Sequence, residues 1–388
     1  MGIVDSLKQA LGSFVAGSPA KAQAVGIDIG SSSIKMVQLR RAQGAAVLET
    51  YGELSLSVYG ETDVGRAVQL PPEKIAEALT DLRKEAGITT PVCGVAIPYR
   101  ASMVSIISLP DVGAAQLAKM IPIEARKYVP VPMKEVQLDW FIIPEEESRL
   151  LEMSAEQSEG QPQSATTSSG STLAKVEVLL AAIYRDTLES YHKAVTAAKF
   201  QPQFYEIEAF SAMRSLSEVH KAPYAIVDFG AASTKFYAIE LGLVRASHLV
   251  PRGGQDITLA ISRSLGISVA KAEELKREIG LAGSGGNGNA VSAAAQTVLD
   301  GILSEIKHAL TAYYKHHHRA LEYAVIMGGG AQLPGLEEAA LQEWGISVRR
   351  ADPFAKTRAP AFLDPVLREV GPEFAVAVGL ALRHVAHE

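Results

Sequence analysis

Two apolar runs of strand length, Val25 to Ile29 and Ile34 to Leu39, flank a short polar turn that carries Gly30. The same pattern returns 200 positions later in Ile226-Val-Asp-Phe-Gly-Ala-Ala-Ser-Thr-Lys-Phe-Tyr-Ala-Ile239. Asp28 meets Asp228, Gly30 meets Gly230, Ser33 meets Ser233 and Lys35 meets Lys235. Each copy predicts a buried strand, a glycine-bearing turn and a second strand rich in β-formers. Two copies predict two similar domains, each contributing one hairpin.

Around these anchors the pattern predicts a third strand over 45–58, a helix from Ile75 to Ala86 and strands at Pro91–Ile97 and Ser102–Leu109. Pro71 and Pro72 open that first helix and Gly87 stops it. Gly113 to Tyr128 has helical spacing with Leu117, Met120, Ile121 and Ala125 inward, and Pro122 marks a kink or an early turn. Val136–Ile143 and Val176–Ile183 suit an antiparallel pair. Between them, residues 145–175 hold six Glu against Arg149 and Lys175 and little apolar content after Met153, the composition of a disordered hairpin loop. A helix Arg185–Ala198, a strand Gln203–Ile207 and a helix Ala209–Val219 lead to the second hairpin.

Leu243–Leu249 supplies its third strand. Asp256 to Gly280 is helical with a break near Gly266, Leu281–Ala290 reads as a flexible glycine-rich loop, and Ser292–Leu321 as a long helix. Tyr323–Met327 is a strand entering Gly328-Gly-Gly330, with a helix running to Trp344. The last helix is predicted from Pro372 to Val385, where Gly379 permits close approach to a neighbour.

At 388 residues, 47% hydrophobic and 21% charged, the chain has material for two domains with insertions. A net charge of −6 argues against general nucleic-acid binding. The single Cys93 sits in an apolar run as a core residue and fits a reducing compartment. No apolar run has the length of a membrane span. Residues 1–16 carry a short amphipathic stripe (Ile3, Leu7, Leu11, Phe14), read as a tail or a short helix packing on its own domain. Lys315-His-His-His-Arg319 invites a metal reading, but successive helical side chains diverge by about 100° and cannot converge on one ion.

An aspartate ending a buried strand, followed by glycine and hydroxyl residues, suits phosphate. The turn offers N–H groups and hydroxyls, and the carboxylate can hold a hydrated Mg²⁺.

Two Asp-x-Gly hairpins, Glu273-x-x-Lys276-Arg277, the late Gly-Gly-Gly turn and a small-residue C-terminal helix together resemble the actin-like ATPase superfamily over nearly the whole chain after residue 22. Within it, Gly26-Ile-Asp-Ile-Gly-Ser-Ser-Ser-Ile-Lys35, Ser108-Leu-Pro110 and Ile123-Glu-Ala-Arg-Lys-Tyr-Val-Pro130 resemble the PilM family of type IV pilus assembly. The resemblance implies an α/β, actin-like (ribonuclease-H-like) duplicated two-domain fold with a small inserted α+β subdomain. Its expected division is a tail 1–22; subdomain 1A in 23–91 and 188–222; the inserted 1C in 92–187; 2A in 223–255 and 322–388; and 2B in 256–321.

The resemblance also implies ATP or ADP with Mg²⁺. Asp28 and Asp228 would face the metal. Gly30, Ser31, Ser32, Ser33 and Lys35 would embrace the phosphates from one side, and Gly230, Ser233 and Thr234 from the other. Glu273, Lys276 and Arg277 would meet ribose and adenine, and Gly328, Gly329 and Gly330 would let the backbone pass close to the adenosine. Glu208 falls where relatives place a water-orienting acid, with Glu206 nearby. Ala231-Ala232 replaces the Asp or Gly of many relatives and points to slow or absent ATP turnover.

The implied function is a cytoplasmic ATP-binding scaffold at the inner-membrane face. It would bind the cytoplasmic N-terminal segment of a PilN-like bitopic membrane protein and other pilus platform proteins, with indirect membrane association and no nucleic acid. Self-association stays open. An FtsA-like filament protein is the alternative, although FtsA usually adds a basic amphipathic helix after the position where this chain ends, at Glu388. A sugar or metabolite kinase of the same fold would need a catalytic base and a polar sugar pocket, for which the sequence offers no candidate.

Overall fold

The computed structural model describes residues 23–143, 175–216 and 222–385. The N-terminal tail, loop residues 145–174 and the end of the helix expected to reach Val219 lie outside the described residues. In chain order the elements are β1 (Gln23–Ile29), β2 (Ser33–Ala42), β3 (Ala45–Ser55), α1 (Pro72–Glu85), β4 (Val92–Ile97), β5 (Ser102–Pro110), α2 (Ala114–Glu124), β6 (Val136–Ile142), β7 (Lys175–Tyr184), α3 (Arg185–Ala197), β8 (Gln201–Ile207) and α4 (Glu208–Leu216). There follow β9 (Tyr224–Phe229), β10 (Thr234–Glu240), β11 (Leu243–Val250), α5 (Gly254–Leu265), α6 (Val269–Ile279), α7 (Gly286–His317), β12 (Tyr323–Met327), α8 (Leu336–Trp344), β13 (Ser347–Arg350) and α9 (Asp364–Val385).

The repeated hairpin becomes a repeated sheet. One five-stranded sheet runs β3-β2-β1-β4-β8 and the other β11-β10-β9-β12-β13. In each, three strands form an antiparallel meander and two more join in parallel beside the first. β8 is an edge strand, which is why it accommodates Pro202. β13 escapes sequence detection because Ser-Val-Arg-Arg carries no apolar alternation; its pairing with β12 makes it a strand.

Alternation along β9 decides what each face buries. Ala225, Val227 and Phe229 join the core beneath α5, α7 and α8, whereas Tyr224 and Ile226 join the core shared with the first sheet. Between the two sheets lie α4 and α9. The sequence alone groups 322–388 with the second domain. The structure corrects this at α9, whose Ala377, Val378 and Ala381 pack on Ala24, Val37 and Leu39 of the first sheet. Small residues permit this: a Cβ on Gly26 would lie 1.8 Å from the Ala377 carbonyl oxygen, and one on Gly379 1.8 Å from that of Ser211. The helix also begins at Asp364, so Pro372 is interior. Leu367 and Phe374, buried on either side of the proline, carry the packing across it.

Two further boundaries differ from the sequence pattern. α7 starts at Gly286, inside the expected loop, because Asn289 Oδ1 accepts the Gly285 N–H at 3.0 Å and Ser292 Oγ accepts that of Gly283 at 2.9 Å. It stops at His317, where His318 turns left-handed and donates to the Tyr314 carbonyl.

The insertion forms a three-stranded sheet, β5-β7-β6. Ile107, Leu109, Val178 and Leu180 cover Leu117 and Ile121 of α2. On the opposite face Leu179, Ala181 and Ile183 enter the main core. The insertion also touches the second sheet, where Ile143 packs on Leu243 and Arg245 pairs with Glu177 at 3.1 Å.

Candidate functional site

The two hairpin turns face one cleft, lined by residues 30–33 on one side and 230–233 on the other. They share one geometry. The Gly30 N–H donates to the Ser33 carbonyl at 3.0 Å and that of Gly230 to Ser233 at 3.1 Å. A Cβ on either glycine would sit 2.9 Å from the same carbonyl oxygen. Carbonyls of both turns are tied back by other segments. Leu56 and Val68 donate to Ser32 and Ser31, and Gly254 and Gln255 donate to Gly230 and Ala231. What each turn has left to offer an anion is its N–H groups, with the Ser31, Ser32 and Ser233 hydroxyls beside them.

Strand register sets a lysine opposite each aspartate, Lys35 across from Asp28 and Lys235 across from Asp228. The two amines then diverge. Lys35 Nζ lies 2.7 Å from Ser33 Oγ, 3.1 Å from Glu53 and 4.0 Å from Glu373. Burial works against this ammonium, but Glu53 and Glu373 more than offset it and hold the amine above the usual lysine value. Lys235 Nζ lies 2.8 Å from Asp228 Oδ2 and 3.0 Å from Glu208 Oε2.

At the far side of the cleft, Glu273 is buried and gathers three donors. Thr258 Oγ1 and Lys276 Nζ each reach its Oε2 at 2.6 Å, and Arg277 Nε reaches Oε1 at 2.7 Å. Burial pushes this carboxyl up, yet Lys276, Thr258 and Arg277 bring it below the usual range. A segment of the first half crosses to this cluster: the Ala67 N–H donates to Gln255 Oε1 at 3.1 Å, and a Cβ on Gly65 would strike the Glu273 carboxyl.

The three glycines have different reasons. A Cβ on Gly328 would lie 2.4 Å from Asp228 Oδ1, and one on Gly330 2.4 Å from the Phe229 ring. Those two are required by the neighbouring hairpin. Gly329 alone of the three has room, its nearest neighbour being Glu373 at 3.8 Å. Burial pushes the Glu373 carboxyl up to about 7 against the pull of Lys35, with Glu53 adding to the rise.

Most of the expected site residues meet in this cleft: Asp28, Asp228, Lys35, Lys276, Arg277 and Glu208 all line it with the two turns and the glycine run. Thr234 does not. It is fully buried and its hydroxyl donates to the Arg252 carbonyl at 3.0 Å, so its role is to fasten β10. Ser33 also has its hydroxyl engaged, by Lys35.

Glu208, the acid expected to orient water, is anchored by two neighbours in the structure. Its Oε1 accepts the Tyr99 N–H at 2.6 Å and its Oε2 takes Lys235, so both oxygens are engaged. Burial raises its carboxyl above the usual range, with Lys235 opposing. Glu206 lies in a separate buried cluster with Arg214 and Arg383, each at 2.6 Å.

The implied Mg²⁺ fits Asp28 and does not fit Asp228. Asp28 is a partly buried carboxyl lining the cleft, pushed up to about 6 by burial against the pull of Lys35, and an approaching cation would relieve that cost. Asp228 has Oδ1 against Gly328 and Oδ2 on a lysine. Lys235, Glu53 and Glu373 are the charged cleft residues that the sequence pattern leaves out. The Lys35–Lys235 correspondence is the signal for the first. Glu53 follows from strand register, and nothing local marks Glu373.

Residues 26–154 and 165–385 match the family model described as type IV pilus assembly protein PilM. A solved PilM–PilN type IV pilus biogenesis complex contains a chain 24% identical, with a TM-score of 0.75 over 95% of this chain and 99% of that one. The ethanolamine utilization protein EutJ from Carboxydothermus hydrogenoformans is 14% identical, with a TM-score of 0.53 over 98% and 96%. A diol dehydratase-reactivating factor, solved nucleotide-free, is 12% identical, with a TM-score of 0.50 over 93% and 99%. The fold is the actin-like ATPase fold.

Proposed function

Because this chain belongs to the family of the type IV pilus assembly protein PilM, we propose that it is an adenine-nucleotide-binding scaffold of a pilus assembly platform. It docks the cytoplasmic N-terminal segment of a PilN-like bitopic membrane protein. The observation that carries the nucleotide half is the pair of matched turns, both with carbonyls tied back, facing one cleft that also holds Lys35 and Lys276. ATP or ADP places its phosphates between the turns and its base toward Arg277 and Gly329. Turnover is slow or absent, since Ala231-Ala232 leaves the second turn without the polar group that helps place water and charge. The subdomain division proposed is the one the resemblance implies, with α9 grouped with the first domain on which it packs.

The partner half rests on family membership and on the relative solved with PilN. Among the described residues no helix is long and apolar enough to cross a membrane. In this reading the protein reaches the cytoplasmic face of the inner membrane through its PilN-like partner. Leu117 and Ile121 are interior to the insertion, at 2% and 0% exposure, so a substitution there tests folding. The same segment exposes Ile123 and Tyr128, at 62% and 44%, and these offer apolar contact to an extended peptide.

Two experiments test the proposal. In titration calorimetry, wild type binds ATP, and Gly329→Leu, which fills the open position of the three-glycine run, abolishes binding while the melting curve stays cooperative. In fluorescence anisotropy, a labelled N-terminal PilN-like peptide binds wild type and binds Ile123→Asp at least about tenfold more weakly. Unaltered ATP affinity in Gly329→Leu removes the nucleotide assignment. Failure of the peptide to bind folded protein at high micromolar concentration removes the partner assignment.

A further inference from the structure

The duplicated hairpins differ in one respect that register explains. In the first sheet, Lys35 on β2 stands across from Glu53 on β3, and its amine goes to that carboxylate. In the second sheet the corresponding partner of Lys235 on β11 is Leu249, which offers no charge. The Lys235 amine turns back across its own hairpin and settles between Asp228 Oδ2 at 2.8 Å and Glu208 Oε2 at 3.0 Å. Its side chain is 14% exposed and both carboxylates 8%.

We propose that Lys235 is a resident cation of the nucleotide cleft, holding the place at Asp228 and Glu208 that a hydrated divalent metal would need. Magnesium demands oxygen ligands at about 2.0–2.1 Å in near-octahedral array, and an ammonium bonded to the same oxygens excludes it by charge and volume. An ammonium on a flexible stem is itself a phosphate ligand. The second hairpin thus presents its positive charge covalently, and the nucleotide meets Lys35 from one side and Lys235 from the other. Retention of nucleotide at the second hairpin therefore does not depend on divalent metal, and a metal at Asp28 adds no more than about threefold to the affinity. The inference rests on the nucleotide reading above and concerns which cation serves it.

The test measures affinity for a fluorescent N-methylanthraniloyl ATP in magnesium and in EDTA. Wild type is expected to bind within about threefold under the two conditions. Lys235→Ala is expected to lose affinity in EDTA and to gain a magnesium dependence of about tenfold or more, while Lys235→Arg behaves as wild type. Leu249→Glu supplies the carboxylate that the second sheet lacks, draws the amine away, and brings the same magnesium dependence without touching the cleft. A wild-type affinity that falls about tenfold or more in EDTA overturns the inference whatever the variants do, and leaves the nucleotide reading intact. Absence of binding by wild type in both conditions overturns both.

Discussion

The Tyr99 N–H donates to Glu208 Oε1 at 2.6 Å, fastening the root of the inserted subdomain to the floor of the cleft. The hydroxyl of the same tyrosine bonds Ser247 on β11, and its ring meets Tyr237 edge-on at 5.4 Å. β5 begins three residues later, at Ser102. One carboxylate therefore joins the phosphate hairpin, through Lys235, to the segment that sets the insertion's position.

Removing Glu208 should be costly, because it leaves the Tyr99 N–H without its partner and the buried Lys235 ammonium with Asp228 alone. Glu208→Ala is expected to lower unfolding free energy by about 2–4 kcal/mol in urea titrations. Lys235→Met in the same background should recover part of that loss, giving a coupling above about 1 kcal/mol. Strict additivity of the two changes would show that the ion pair does not hold this junction.

The helix between the sheets should tolerate no methyl at its two closest approaches. Gly26→Ala and Gly379→Ala each place a Cβ within 1.8 Å of a backbone oxygen, and backbone cannot rotate away. Each is expected to cost about 3 kcal/mol or more, seen as a large fall in melting temperature. Gly329→Ala, with its nearest contact at 3.8 Å, serves as the control and should melt close to wild type. Equal melting of all three would contradict the packing of α9.

Glu373 predicts a pH signature. Its folded carboxyl is raised to about 7 from an ordinary 4.5, so the fold favours the neutral form. Between pH 4.5 and 7 the unfolded chain gives up this proton while the folded protein keeps it. The penalty grows across that window and is complete above it. Glu373→Gln, which carries no charge to desolvate, should be more stable than wild type by about 1–3 kcal/mol at pH 8 and equal to it near pH 4. Chemical denaturation across this range checks it, and a difference that is constant with pH refutes it.

Much of the cleft was legible because it is local. Asp28 with Gly30 and Asp228 with Gly230 are each a strand end and the turn beside it, and their repetition identifies both sheets before any contact is known. The Glu273–Lys276–Arg277 spacing likewise puts three groups on one helix face, and the structure joins them in one network. Glu373 was not legible. It reaches the cleft because Ala377 and Ala381 on its helix pack on Ala24 and Val37, contacts more than 300 residues apart in the chain.

By itself the sequence determined the duplicated hairpins and the residues that would face an anion, since these follow from strand periodicity and turn chemistry over ten or so neighbours, whereas the inserted subdomain followed from the family resemblance. Tertiary structure alone decided what those residues are bonded to. The sequence places Lys35 and Lys235 identically, opposite an aspartate. Their fates differ because β3 brings Glu53 beside one and β11 brings Leu249 beside the other. A buried amine takes the nearest carboxylate, and which carboxylate is nearest is a property of how strands pair across a sheet.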